Sequence, residues 1–170
     1  VMKKSKKILI PVSIVVVLIA IVLVVVMMNR GHRVIKVESV EGEVELDRDS
    51  AVKEVFEDMN LRSEDMVTTG EDGLLELRAD EDKYIVAIEN TCFEIVSKGN
   101  AKEGRLKIKL KYGTSLIEIE NKLPEGASFE VETPNAALSV RGTTFEVTYI
   151  PETNTTILKV TDGLVAAETD

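Results

Sequence analysis

Imidazole is almost missing from this chain. His32 is the single histidine, and it lies beside a long apolar run rather than within the body of the sequence. Histidine-dependent zinc sites and triads with an imidazole base are therefore excluded from that body. Thiol chemistry is equally scarce. Cys92 has no second cysteine to pair with, so no internal disulfide forms, and within Thr91-Cys92-Phe93-Glu94-Ile95 it reads as a small buried hydrophobe. A basic block is also lacking. All 30 acidic residues follow Arg33, against 15 of the 21 basic ones, so residues 34–170 carry a net charge of −15. A field of that sign repels nucleic acid and anionic lipid, and neither is an expected partner of this part. The carboxylate-rich turns Asp47-Arg48-Asp49 and Asp80-Glu81-Asp82 do not continue into the glycine and distal glutamate of an EF-hand loop, so no metal or other cofactor is expected.

What the chain does have, first, is an uncharged run from Ile8 to Met28, interrupted only by Pro11 and Ser13. As a helix it reaches roughly 30 Å, the hydrocarbon thickness of a bilayer. Lys3, Lys4, Lys6 and Lys7 precede it and an acidic domain follows, which predicts a cytoplasmic stub over 1–7 and an extracytoplasmic domain beyond a juxtamembrane linker at 29–35. A cleavable signal peptide would have a shorter apolar core ending at a small-x-small site. Met27-Met28-Asn29-Arg30 is a poor one, and no cysteine follows the run to carry a lipid. The expectation is an uncleaved, single-pass signal anchor in the cell membrane.

Beyond the linker the chain alternates. Val40, Gly42, Val44 and Leu46 interleave with Glu41, Glu43, Glu45 and Asp47, and the pattern returns in Leu106, Ile108 and Leu110, in Phe129 and Val131, and in Phe145, Val147 and Tyr149. Turn signals separate these runs at about ten-residue intervals, which predicts an all-β domain over 36–168. Two packed antiparallel sheets are the expected architecture, with a short β-solenoid as the alternative. Val52, Val55, Phe56 and Met59 fall at helical spacing and predict a short helix over 51–59. Gly113-Thr114, taken as a two-residue turn, predicts a hairpin in which Leu110 meets Ile117, Lys109 meets Glu118 and Lys107 meets Glu120. The stripe Lys102, Arg105, Lys107, Lys109 and Lys111 is then salt-paired strand surface rather than an anion site.

The most distinctive stretch is Phe129 to Val147. A strand enters the Thr133-Pro134-Asn135 turn, a second strand reaches Val140, and Gly142 marks a bend before Thr143 and Phe145. Arg141 is the one cation near Glu130, Glu132 and Glu146, and it is expected to be tied to those carboxylates or to backbone carbonyls at the bend. VETPNAALSVRGTTFEV resembles the signature of FecR-domain proteins, a T-P-x-A strand followed by V-R-G-T-x-F. Gly42-Glu43-Val44 with Arg48, Met66-Val67-Thr68-Thr69-Gly70, and Asp162-Gly163-Leu164-Val165 resemble the family's flanking elements. Ser63-Glu64-Asp65 stands where a Gly-Asp pair is usual, and Asp72-Gly73 where an Asp-Ser is usual. On this resemblance Thr133, Pro134, Val140, Arg141, Gly142, Thr143, Phe145 and Gly163 are structural keystones.

The resemblance implies a membrane-anchored binding or sensory module without catalysis, which engages an envelope protein or cell-wall component. Iron-uptake regulators of the family carry a cytoplasmic domain that binds a sigma factor. A stub of seven residues cannot bury a core, so no sigma factor is an expected partner. The sequence does not fix the oligomeric state. The competing expectation is a wall-acting hydrolase with two carboxylates about 5 to 10 Å apart, one of them desolvated.

Overall fold

The computed structural model describes Ile19 and residues 33–169. The expected stub 1–7, the apolar run 8–28 apart from Ile19, and His32 lie outside the described residues. Among the described residues no helix is long and apolar enough to cross a membrane. The described body is all-β, as the alternation requires. Its first seven strands are β1 (Ile35–Glu41), β2 (Val44–Arg48), β3 (Ala51–Glu54), β4 (Asn60–Leu61), β5 (Met66–Thr69), β6 (Leu74–Ala79) and β7 (Lys83–Ala87). The remaining seven are β8 (Cys92–Lys98), β9 (Arg105–Ile119), β10 (Ser128–Thr133), β11 (Ala136–Val140), β12 (Thr144–Ile150), β13 (Thr155–Asp162) and β14 (Val165–Thr169).

The strands form one hydrogen-bonded sheet that curls over on itself, and β9 is where it turns. The first half of β9 pairs with β8 and β10, the second half with β7 and β12. One limb therefore runs β3-β2-β5-β8-β9-β10-β11-β14, and the other β4-β1-β6-β7-β9-β12-β13. We call them the long-β9 limbs B and A respectively. Their inward residues share one core, with Leu46, Val67, Phe93, Ile108 and Val131 from limb B and Val37, Leu77, Ile85, Ile117 and Val147 from limb A. Each such side chain contributes roughly 1.5–3 kcal/mol on burial. The expected pair of sheets is thus corrected to two limbs of a single curled sheet. The β9–β10 ladder is also parallel, with Phe129 beside Leu106 and Val131 beside Ile108, whereas every other ladder among the described residues is antiparallel. A solenoid would need parallel pairing throughout.

The predicted hairpin at Gly113-Thr114 does not form. Gly113 has φ +90°, but it lies inside β9, and its left-handed conformation bends the strand from one limb to the other instead of reversing it. A register shift next to it leaves Lys111 without a cross-strand residue between the Cys92–Tyr112 and Phe93–Leu110 pairs. A Cβ on Gly113 would stand 2.4 Å from the Asn90 carbonyl oxygen and from Thr91 Oγ1, so the glycine also admits the 90–91 turn. The predicted helix over 51–59 is likewise absent. Nine residues nucleate a helix poorly, and Asp49 and Ser50, both at positive φ, close a two-residue turn that sends Ala51–Glu54 back along β2 instead. Of the four apolar residues at helical spacing only Val55 enters the core, while Val52 and Phe56 are exposed.

Candidate functional site

The family signature divides into two clusters at opposite ends of β11. At one end, Thr133 is buried and its hydroxyl meets Thr156 Oγ1 at 2.7 Å and the Ala136 carbonyl oxygen at 3.3 Å. Asn135 accepts from Thr156 Oγ1 at 2.5 Å and donates through Nδ2 to the Asn154 carbonyl at 2.7 Å; Tyr149 donates its hydroxyl to Asn154 Oδ1 at 3.0 Å. Pro134 is exposed at the corner. This network ties the Thr133-Asn135 turn to the 3-10 turn Pro151–Thr153 and the Asn154 that ends it. At the other end, Val140 and Phe145 are buried in the core. Gly142 has φ +66° and Gly163 φ +86°. A Cβ on Gly163 would stand 2.5 Å from Thr143 Cγ2 and 2.6 Å from the Gly142 oxygen, so the β13–β14 turn rests directly on Gly142-Thr143. Thr143 is buried, and its carbonyl accepts the Ile119 N–H at 2.9 Å. Arg141 is exposed, and among the described residues it forms no ion pair. The expected tie to carboxylates is corrected: Lys107 holds Glu130 and Glu132, and Lys159 holds Glu146.

Asp65 is buried and the Asp80 side chain nearly so, and both face cations. Asp65 accepts from Arg48 Nε at 2.8 Å and Nη2 at 2.5 Å, and also from the Arg62 backbone N–H at 2.8 Å. It sits at the turn where Ser63-Glu64-Asp65 departs from the family pattern, and it joins that turn to Arg48 of β2. Glu64 takes φ +74°, the conformation that a glycine at this place would adopt without strain. Asp80 accepts from Arg33 Nε at 3.0 Å and faces Lys83 Nζ at 3.0 Å; Lys83 reaches Asp82 at 2.6 Å. Burial alone would raise the Asp82 pKa, but the hydrogen bond and charge of Lys83, with help from Asn121, outweigh it and hold the group below its ordinary value. This network walls a cleft of about 690 Å³ bordered by Asn100, Lys102, Glu120 and Pro124. In the sequence Arg33 stands only as a flank of the apolar run, and nothing local to it reveals a partner 47 residues away. Among the described residues no group of three or more His, Cys, Asp or Glu is placed to hold a metal ion.

The outer faces of the limbs differ. On limb B, Lys107 pairs with Glu132 and, at 3.4 Å, with Glu130, while Lys109 and Lys111 share Glu94 at 3.5 and 3.4 Å. Three of the five stripe residues, Lys107, Lys109 and Lys111, are thus salt-paired, with other carboxylates than the hairpin requires, while Lys102 and Arg105 form no ion pair among the described residues. The Glu132 hydrogen bond, reinforced by the charges of Glu132 and Glu130, raises the Lys107 pKa against the cost of its burial. Limb A carries a groove of about 280 Å³ across β7, β9, β12 and β13. Tyr84, Val86 and Leu116 line it, with Glu118, Glu146 and Lys159 around them, and Leu116 is 40% exposed. No motif announces this groove, because its apolar residues lie on three strands far apart in sequence. Of the signature residues only Phe145 borders it.

A family model described as "FecR protein" matches residues 65–166, from Asp65 to the start of β14. No curated protein and no solved structure matches the chain.

Proposed function

The chain belongs to the FecR protein family, and from that premise we propose that it works as a membrane-anchored, extracytoplasmic sensory module that recognises an envelope protein and carries out no catalysis. A FecR domain is a non-catalytic regulatory or sensory module. The apolar run 8–28 with lysines before it supports the anchor and the orientation. The observation that carries the reading of recognition over turnover is the pairing of the two carboxylates most withdrawn from solvent. Asp65 and Asp80 each neutralise arginine or lysine, and a buried charge so paired is costly to free for acid–base work. Of the signature residues, Thr133, Val140, Thr143 and Phe145 are buried within the sheet, and Gly142 and Gly163 shape its turns.

Recognition falls to the outer face of limb A. Its groove offers Tyr84, Val86 and Leu116 with carboxylates at the margin, on a domain of net charge −15. A protein segment that presents apolar side chains flanked by lysine or arginine is the complement in both respects. The test is protease added outside cells, with any outer membrane permeabilised. The acidic domain should be digested while cytoplasmic proteins survive; a domain that is cut only after lysis contradicts the proposed side.

A further inference from the structure

We infer that the free edge of β13 is a homodimer interface: a second copy of this chain adds its own β13 antiparallel, on a two-fold axis at Leu158. This goes beyond the functional reading above and does not rest on it.

The inference starts from how the four open edges of the sheet differ. β3 is four residues long and carries Lys53 and Glu54, β4 is two residues long, and β14 ends in Glu168-Thr169. Short or charged edges resist pairing with another chain. β13 has eight residues, no proline, and is bonded only to β12. Its single lysine is held by Glu146 at 2.6 Å, and its one carboxylate, Asp162, stands at the very end. On a domain of net charge −15, this is an edge from which repelling charge has been removed.

The inward row of β13 is also unfinished. Leu158 stands beside Val147 and Val160 beside Phe145, both core residues, yet Leu158 is only half-buried and Val160 is 44% exposed. A strand laid along the free edge would cover both.

The strand fits itself. Antiparallel pairing about Leu158 sets Leu158 against the partner's Leu158 and Thr156 against the partner's Val160 on the inner face. On the outer face it sets Ile157 against the partner's Lys159 and Thr155 against the partner's Thr161. No like charges oppose each other. Shifting the axis to Lys159 keeps the faces in register but sets lysine against lysine, so the first register is favoured. The contact is isologous and closes at two copies, with limb A continuous across the axis.

Cysteine crosslinking of the full chain tests this. Cys92 is buried and does not compete. With Thr155→Cys and Thr161→Cys together, mild oxidation should give a two-chain species, whereas either cysteine alone should not, because the axis holds identical positions apart. On that background Ile157→Lys should lower the crosslinked fraction about tenfold by opposing Lys159 across the axis, while Ile157→Glu should preserve it. Higher salt should raise the fraction by screening repulsion between two acidic domains, whereas a complex with a basic protein would weaken. No two-chain species, equal crosslinking from single cysteines, equal effects of Ile157→Lys and Ile157→Glu, or capture of a different protein at these positions would each overturn the inference.

Discussion

Limbs A and B are built from the same alternation of inward apolar and outward polar residues, and both carry outward ion pairs, yet their outer faces differ around β9. Limb B places Lys107, Lys109 and Lys111 among Glu94, Glu130 and Glu132, so these charges are satisfied within the sheet. Limb A replaces the same outward positions with Tyr84, Val86, Leu116 and Ile157, and its longest edge strand is open. Inward residues decide that a sheet closes. Outward residues decide whether its surface is finished within one chain, and around β9 limb B pairs its charges while limb A leaves apolar residues exposed.

The comparison breaks most severely where limb B depends on buried charge. Asp65→Ala strands the Arg48 guanidinium and should cost about 3–5 kcal/mol, read as a lowered midpoint in urea. The neighbouring residue gives the opposite sign. Glu64 holds a left-handed backbone in an exposed turn, so Glu64→Gly should gain about 1 kcal/mol in the same measurement. The smallest effect belongs to the surface ladder: Lys107→Ala breaks a half-exposed pair and should change stability by less than about 1 kcal/mol, with most of that removed by salt. A large loss at Lys107, or a small one at Asp65, would mean that limb B is not closed in the way its geometry indicates.

The all-β class was legible in the sequence because period-two alternation is a local signal: the runs at 106–110, 129–131 and 145–149 each lie on one strand, whereas the run from Val40 to Asp47 is broken by a turn at Gly42-Glu43 between β1 and β2. What failed were readings that turned a local cue into a connection. Gly113 carries the positive φ of a turn, but only the tertiary partners of Lys107 and Lys109 decide between a reversal and a bend in one continuous strand. Val52, Val55, Phe56 and Met59 have helical spacing, and the adjacent Asp49-Ser50 turn overrode it. Arg141 lies near Glu130, Glu132 and Glu146 in sequence, whereas Lys107 and Lys159 reach those carboxylates from neighbouring strands. The groove and the β13 edge have no sequence signature, since each exists only once strands distant in the chain lie side by side.

The most direct test is photo-crosslinking in intact cells from position 116 on limb A against position 109 on limb B, with the captured species identified. An envelope protein captured from 116 and not from 109 is the expected result. Capture of cytoplasmic proteins, or equal capture from both faces, would contradict an extracytoplasmic module that recognises its partner through limb A.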